Sequence, residues 1–198
     1  MDIKRLVIVA VGGQGNLLAS GVLGEAALLA GIPIQMSEIH GMAQRGGVVE
    51  SSLVFGDARS TIISDGEADV LVGFEPAETL RALNKCNSQT VVITNLAPLM
   101  PFTVNIGQGV YPDLKQLQEL IRQKTARLIA FNAAALAKEA GNVLAVNMVL
   151  LGALIQTRVL PLTVDQVKDA MKRKTKQQFL EANLKAFDLG FAEAHKAG

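Results

Sequence analysis

The sequence has a single cysteine, Cys86, among its 198 residues. One thiol cannot form an internal disulfide, complete a four-thiolate zinc site or hold an iron–sulfur cluster. If the protein takes part in electron transfer, the electron carriers must therefore lie on another chain.

The chain also lacks an excess of charge and a long apolar run. It has 19 Lys and Arg against 18 Asp and Glu, which gives a formal net charge of +1. Such a balance supplies no global field for holding a nucleic acid or a membrane surface. No stretch approaches the roughly 20 apolar residues that span a bilayer, and glycines end the apolar run at residues 6–11 too early for a signal peptide. We therefore expect a cytoplasmic protein with no nucleic-acid or membrane partner.

Tryptophan is absent and aromatic residues make up only 4% of the chain, yet 49% of its residues are apolar. A chain of this length can bury one core, so we expect residues 1–198 to form one domain. The surplus of apolar residues suits a surface that is covered by a partner subunit.

The first half of the sequence alternates between strand and helix patterns. An apolar run at residues 3–11 predicts a buried strand, and periodic apolar residues at 16–30 predict a helix. A second strand at 34–37 should lie parallel to the first, after a right-handed crossover. Residues 48–55 and 60–63 predict an antiparallel hairpin, so we expect a mixed, mainly parallel sheet.

Further strands and helices follow the same alternation. We predict strands at residues 69–74, 90–94, 102–104 and 128–131, a short helix at 76–83, and a helix that Asp113 caps and that runs to about residue 123. The C-terminal part, about residues 133–195, has only helical patterns, at 133–140, 143–156, 163–172 and 176–194, and Thr163 with Gln166 fits a capping box. The predicted fold class is α/β, a three-layer αβα arrangement with a helical C-terminal part.

A glycine loop lies between the first strand and the first helix, at Gly12, Gly13, Gln14 and Gly15. Glycines there let the backbone approach a ligand, and free amides at a helix N-terminus favour an anion such as phosphate. The loop is not a full dinucleotide fingerprint, because Ala10 stands where the first glycine belongs. An anion site and a tight turn that packs a helix on a sheet both fit these residues.

Glu38 lies about 20 residues beyond the loop, near the end of the second strand. An acidic residue there binds the ribose in dinucleotide-binding folds. A self-sufficient NAD- or flavin-binding oxidoreductase therefore stays open, although Glu38 also fits as the first residue of the next polar loop.

A compact polar stretch follows, with His40, Gln44, Arg45, Gly46 and Gly47. An arginine can hold a carboxylate or phosphate through two parallel hydrogen bonds, and an imidazole can transfer a proton. In an open α/β sheet this stretch would lie at the carboxyl ends of the strands, beside the glycine loop. A turn whose arginine pairs with a structural carboxylate fits the same residues.

These two motifs resemble the small, gamma-type subunits of indolepyruvate ferredoxin oxidoreductase and other 2-oxoacid:ferredoxin oxidoreductases. The resemblance extends over nearly the whole chain, through residues 74–76, 136–142, 147–153 and 179–187. It implies a subunit, inactive alone, of a hetero-oligomeric enzyme that oxidatively decarboxylates aryl pyruvates with coenzyme A and reduces ferredoxin.

The same resemblance implies where the cofactors lie. Thiamine diphosphate and the iron–sulfur clusters would be on a cysteine-rich large subunit, through which ferredoxin is reduced. Related gamma-type domains are associated with coenzyme A binding, for which the glycine loop would be a phosphate site. The expected cofactor-binding residues are Gly12, Gly13, Gln14, Gly15, Gly46 and Gly47, and the expected catalytic residues are His40, Gln44 and Arg45. A stand-alone nucleotide- or coenzyme A-binding module is a further alternative.

Two positions depart from the family pattern. The family usually has a further glycine at the position of Ala10 and often an arginine at that of Val54. Loss of an arginine would remove a bidentate anion donor. A basic run at residues 168–176 fits a solvated helix face, or a surface for an acidic partner or for phosphates.

Overall fold

The computed structural model describes residues 2–41 and 47–196. Six strands form one sheet in the order β2-β3-β1-β4-β5-β6. Their bounds are β1 Lys4–Val11, β2 Ile34–His40, β3 Val48–Phe55, β4 Ala68–Gly73, β5 Cys86–Asn95 and β6 Arg127–Phe131.

Helices follow most of the strands, and the last four follow one another without a strand between them. Their bounds are α1 Asn16–Leu29, α2 Pro76–Arg81, α3 Phe102–Asn105, α4 Leu114–Lys124, α5 Ala133–Glu139, α6 Val146–Gln156, α7 Val164–Lys174 and α8 Gln177–Lys196, with a 3-10 turn at Ala82–Lys85.

The sheet is mixed and mainly parallel, as predicted. Strands β1, β4, β5 and β6 are parallel neighbours, whereas β3 is antiparallel to both β1 and β2. Strand β2 therefore runs in the direction of β1, but β3 lies between them. The two strands have the predicted orientation without being neighbours.

The predicted hairpin between residues 48–55 and 60–63 is wrong. Strand β3 pairs with β2, with Met36 opposite Leu53, and no strand forms at residues 60–63. Ile63 is nevertheless buried in an apolar cluster. The Ile63 side chain packs beneath a loop. In the sequence pattern, an apolar residue buried in this way cannot be distinguished from one in a strand.

The predicted strand at residues 102–104 is also wrong. These residues begin the short helix α3, where the N–H groups of Val104 and Asn105 donate to the carbonyl oxygen of Pro101. Proline presets a backbone angle suited to the start of a helix. Phe102 lies exposed rather than in the sheet.

The helix caps agree with the predictions. The Asp113 carboxylate accepts hydrogen bonds from the N–H groups of Lys115 and Gln116 at the start of α4. Thr163 and Gln166 form a reciprocal capping box at α7. Both caps depend on neighbouring residues only, which is why the sequence reveals them.

The core has two parts, one on each face of the sheet, which confirms the three-layer arrangement. Leu6, Ile8 and Ala10 of β1 pack with α1, α6 and α8, whereas Val7 and Val9 pack with α4 on the other face. This alternation follows from the two-residue period of a strand.

Helices α6 and α8 approach closely through two glycines. A Cβ atom at Gly152 would overlap the carbonyl oxygen of Phe187, and one at Gly190 would overlap that of Val149. The backbones of the two helices are therefore in direct contact, and this contact fixes α6 in the C-terminal layer.

Among the helices that the structure describes, none has both the length and the apolar composition needed to cross a bilayer.

Candidate functional site

The glycine loop between β1 and α1 contacts the chain that follows β2. The N–H of Gly12 donates to the carbonyl oxygen of Gly47 at 2.8 Å. Gly13 and Gly15 have φ values of 101° and 83°, a region that favours glycine. Through this hydrogen bond the two motifs meet at the carboxyl ends of β1 and β2, as the sequence predicted.

The Gln14 side chain stabilises this loop through two hydrogen bonds. Its Oε1 accepts a hydrogen bond from the N–H of Val11 at 2.8 Å, and its Nε2 donates to the carbonyl oxygen of Phe74 at 3.3 Å. Asn95 donates to the same oxygen at 3.1 Å. The Gln14 side chain therefore ties the loop to the end of β4, and its amide is engaged by the protein itself.

The first turn of α1 faces a small cavity beside the glycine loop. Gly15 is the N-cap residue, and no side chain of the described residues caps the helix. Uncapped amides at a helix N-terminus carry the positive end of the helix dipole. The cavity has a volume of about 260 Å³ and is lined by Val11, Gly12, Gly13, Gly15, Asn16, Leu17, His40 and Val49.

Asn147, at the start of α6, contacts the glycine loop although it lies 132 positions further along the sequence. Its Nδ2 donates to the carbonyl oxygen of Gly15 at 3.2 Å, and its Oδ1 accepts from the N–H of Met148 at 2.9 Å. The residue is only 3% exposed. The family resemblance covers Asn147, but no local pattern in the sequence connects it with the loop.

A second cavity, of about 320 Å³, is lined by residues of α1 and of the C-terminal helical part. Asn147 lines it together with Leu18, Asn142, Leu144, Lys174, Thr175, Lys176, Phe179 and Asn183. Residues of the first turn of α1 therefore line both cavities.

Most of the basic run at residues 168–176 is paired on the surface. Arg173 and Lys174 both contact the Glu25 carboxylate, at 3.5 and 3.3 Å. Lys172 contacts Asp169 at 2.7 Å. The run is thus largely a solvated face whose end reaches the rim of the second cavity.

Glu38 is the centre of a polar network that joins β2, β3 and α1. Its Oε1 accepts hydrogen bonds from Ser20 Oγ at 3.0 Å and from Ser51 Oγ at 3.1 Å. Ser51 Oγ in turn accepts from Asn16 Nδ2 at 2.9 Å, and His40 Nε2 lies 3.3 Å from Glu38 Oε2. The half-exposed His40 is oriented by this carboxylate at the edge of the 260 Å³ cavity. The sequence did not indicate the three polar partners on α1 and β3.

This arrangement argues against a dinucleotide-binding site in which Glu38 binds the ribose. In that fold the acidic residue ends a strand that neighbours the first one. Here β3 separates β1 from β2, and one oxygen of Glu38 already accepts two hydroxyl groups. Glu38 and His40 also lie within β2, so the polar loop begins later than the sequence predicted.

The remaining predicted positions lie elsewhere. Gln44, Arg45 and Gly46 fall outside the described residues, so their roles stay predictions. Val54 is buried and pairs with Arg5 of β1. Arg5 is six residues from Val11, where β1 meets the glycine loop, so Val54 lies roughly 20 Å from the loop. The departure at Val54 therefore does not bear on the loop.

Sequence reasoning also missed a group of polar side chains at the start of α2. The buried Glu75 accepts hydrogen bonds from the N–H of Glu78 and from the hydroxyl of Tyr111. Burial, together with the Glu75 carboxylate that accepts its hydrogen bond, raises the pKa of Tyr111. In the described part of the chain, no three His, Cys, Asp or Glu side chains converge as a metal site would require.

The comparisons with known proteins agree with this architecture. The model of the family described as pyruvate ferredoxin/flavodoxin oxidoreductase matches residues 5–193. The chain belongs to this family. Relatives described as "Indolepyruvate oxidoreductase subunit IorB" are 40% identical in Archaeoglobus fulgidus, over 96% of this chain and 94% of the relative, and 41% identical in Pyrococcus horikoshii, over 96% and 95%.

Solved structures of other proteins show the same fold. The gamma subunit of a keto/oxoacid ferredoxin oxidoreductase from Geobacter sulfurreducens has a TM-score of 0.72 at 23% identity, over 98% of this chain and 99% of that one. A 2-oxoglutarate:ferredoxin oxidoreductase from Magnetococcus marinus, described with coenzyme A bound, has a TM-score of 0.75 at 20% identity. This chain is covered completely but matches only 32% of that longer chain.

Proposed function

We propose that the whole chain acts as the gamma-type small subunit of an indolepyruvate-type 2-oxoacid:ferredoxin oxidoreductase, which oxidatively decarboxylates aryl pyruvates with coenzyme A. The observation that carries this proposal is the identity of about 40% to the IorB subunits, over nearly the full length of both chains. The relatives described as 2-oxoglutarate synthase subunits are more distant, at 24% and 26% identity. This difference favours an aryl pyruvate over 2-oxoglutarate.

The glycine loop is the proposed contact for the phosphates of coenzyme A. Gly12, Gly13 and Gly15 line a cavity at a helix end that has no side-chain cap among the described residues. Free amides and the helix dipole suit an anion there. Coenzyme A, when bound, supplies the thiol that accepts the acyl group.

The other predicted cofactor-binding residues complete this contact. Gly47 accepts a hydrogen bond from Gly12, and Gln14 holds the loop against β4. Gly46, which precedes Gly47 in the sequence, is proposed to bind the cofactor with it. Asn147 fixes the carbonyl group of Gly15 and is therefore a positioning residue.

We assign the proposed catalytic roles to His40, Gln44 and Arg45. His40 lines the glycine-loop cavity, where an imidazole held by a carboxylate can transfer a proton. Arg45 is proposed to bind the substrate carboxylate through two hydrogen bonds, and Gln44 is proposed to assist it.

A large subunit would carry the remaining machinery. The single cysteine of this chain, Cys86, is 1% exposed and lies on the face of the sheet that packs with α4. Thiamine diphosphate, the iron–sulfur clusters and the contact with ferredoxin are therefore assigned to a cysteine-rich partner in the cytoplasm.

Co-expression with that large subunit tests the proposal. We expect a stable complex that reduces a dye in a coenzyme A-dependent manner, faster with indolepyruvate or phenylpyruvate than with pyruvate or 2-oxoglutarate. A chain that never associates with a thiamine-dependent subunit contradicts the proposal. Calorimetry on the isolated chain separates the alternatives, because tight binding of NAD or a flavin indicates a self-sufficient enzyme and tight binding of coenzyme A alone indicates a stand-alone module.

Arg45→Ala tests the assigned site. We expect the activity of the reconstituted complex to fall about 100-fold or more while the melting temperature changes little, because the guanidinium binds substrate rather than the core. Arg122→Ala, on the exposed face of α4, is the matched control. Comparable losses of activity and stability in Arg45→Ala would instead indicate a structural ion pair.

A further inference from the structure

A third cavity, of about 410 Å³, opens between α2 and the segment that leads into α3. Its lining combines charged side chains from α2 with apolar side chains from residues 99–102. The lining residues are Val11, Glu75, Glu78, Arg81, Leu99, Met100, Pro101 and Phe102. The proposed function assigns no role to this cavity.

Glu78, which lines this cavity and a neighbouring one of about 250 Å³, has an unpartnered carboxylate oxygen. Its side chain is only 8% exposed, and its Oε1 accepts a hydrogen bond from Arg81 Nη1 at 2.8 Å. Its Oε2 is buried and has no hydrogen-bond partner within the described residues. A buried carboxylate oxygen without a donor is costly. The position of Glu78 is therefore suited to a donor from outside the described part of the chain.

Glu75 does not supply that donor but adds a second negative charge. Its oxygens accept from the N–H groups of Glu78 and Leu99 and from the Tyr111 hydroxyl. Among the lining residues that the structure describes, the exposed Arg81 is the only cation. Two carboxylates against one guanidinium leave a net negative charge, which favours a cationic group over an anionic or apolar one.

The rim of the cavity is apolar and exposed. Phe102 is 74% exposed, and Leu99 and Met100 beside it are also exposed. Aromatic residues and methionine are enriched in protein–protein interfaces, where an apolar centre surrounds buried anchor residues. A rim of this kind indicates a protein partner rather than a free amine or a metal ion.

We propose that this cavity receives a lysine or arginine side chain of the large subunit, which donates to Oε2 of Glu78 while neighbouring apolar residues of that subunit cover Leu99, Met100 and Phe102. This inference rests on the proposed function, because it names the docking surface for the partner that the function requires. We call Glu78 and residues 99–102 the acidic docking cavity.

Two variants of the co-expressed complex test the charge and the rim separately. Glu78→Gln keeps the shape of the side chain and its bond to Arg81 but removes the charge, and Phe102→Ser removes the exposed ring. We expect each variant to weaken binding to the large subunit by about tenfold or more, because a buried charge pair and an apolar anchor are typical centres of binding energy. Unchanged melting temperatures of the isolated variants show that they fold.

Matched controls lie elsewhere on the surface. Glu119→Gln removes an exposed carboxylate on α4. Ile62→Ser removes an apolar side chain that is 76% exposed, close to the 74% of Phe102. Both controls should bind within about twofold of the unmodified chain. A photoreactive benzoylphenylalanine at position 102 should cross-link to a large-subunit peptide that contains lysine or arginine, whereas one at position 62 should not.

The outcomes separate this inference from the function on which it rests. If the unmodified chain forms an active complex that Glu78→Gln and Phe102→Ser do not weaken, the docking cavity is refuted and the function stands. Cross-links only to a second copy of this chain also refute it. If the unmodified chain does not bind the large subunit, the proposed function and this inference fail together.

Discussion

Asn147 Nδ2 donates a hydrogen bond to the carbonyl oxygen of Gly15 at 3.2 Å, and so joins residues that are 132 positions apart. The same oxygen also accepts the N–H of Ala19 in the first turn of α1. Asn147 is therefore not needed to satisfy this carbonyl group. Its contribution is to fix the glycine loop relative to the C-terminal helices.

Asn147→Ala should accordingly weaken ligand binding more than it weakens the fold. We expect a loss of about 1 kcal/mol in the free energy of unfolding, the typical value of one hydrogen bond, and roughly tenfold weaker binding of coenzyme A by the reconstituted complex. Urea unfolding and calorimetry measure the two effects. Asn132→Ala is the control, because it removes the N-cap of α5 at a similar cost in stability but should leave binding unchanged. Equal binding by the two variants would contradict the positioning role.

Gly15→Ala should destabilise the protein more than Gly13→Ala. Both positions have positive φ, so alanine adds strain of about 1–2 kcal/mol at each. A Cβ at Gly13 meets nothing within 4 Å, whereas one at Gly15 would lie 2.6 Å from Asn147 Nδ2. In an Asn147→Ala background the two alanine variants should become similar, and urea unfolding of this double-mutant cycle measures the coupling. Additive effects at Gly15 and Asn147 would refute the contact.

Gly152→Ala should be among the most destabilising single substitutions in the C-terminal layer. The added methyl group would overlap the Phe187 backbone, and α6 and α8 would have to move apart at a cost of about 3 kcal/mol or more. Gly21→Ala in α1 is the control. A Cβ there meets nothing within 4 Å, so alanine should stabilise the helix by up to about 1 kcal/mol. A tolerated Gly152→Ala, measured by thermal unfolding, would show that the helices are not in direct contact.

Cys86 should make stability depend on pH in the alkaline range. Burial raises the pKa of its thiol from 9.0 to about 11, so between these values the unfolded chain loses a proton that the folded chain keeps. The free energy of unfolding should therefore fall as pH rises from 9 to 11, by about 1.4 kcal/mol for each unit of the pKa difference. Below pH 9 this contribution is fully present.

Comparison with Cys86→Ala isolates the thiol from other groups that titrate in this range. The difference in unfolding free energy between the two proteins should be constant below pH 9 and should shrink toward pH 11. Iodoacetamide should also label the folded protein slowly at pH 8 and quickly in urea, because the thiol is buried and uncharged. A parallel pH dependence of the two proteins would mean that the thiol has an ordinary pKa.

The sequence was sufficient wherever neighbouring residues determine the structure. Strand β1, the glycine turn, and the caps at Asp113 and Thr163 follow from local patterns, as does the assignment of the C-terminal part to helices. The two sequence motifs also predicted the protein family, and the family model and the relatives confirm this prediction.

Long-range relationships were not accessible from these patterns. The apolar residues of β3 fit any strand of the sheet, so nothing in its sequence specifies a place between β1 and β2. For the same reason, the hydrogen bonds that Ser51 makes with Glu38 and Asn16 could not be foreseen. Residues 102–104 were misassigned because their apolar and β-branched side chains suit a strand, whereas Pro101 begins a helix there.

The bond between Gly15 and Asn147 also orders events in time. Translation produces the glycine loop first, but the asparagine that fixes it belongs to α6, and α6 is held by its glycine contacts with α8, the last helix of the chain. The hydrogen bond from Asn147 can therefore form only after α6 and α8 have been synthesised. During synthesis the glycine loop is thus made before the residue that holds it to the C-terminal helices.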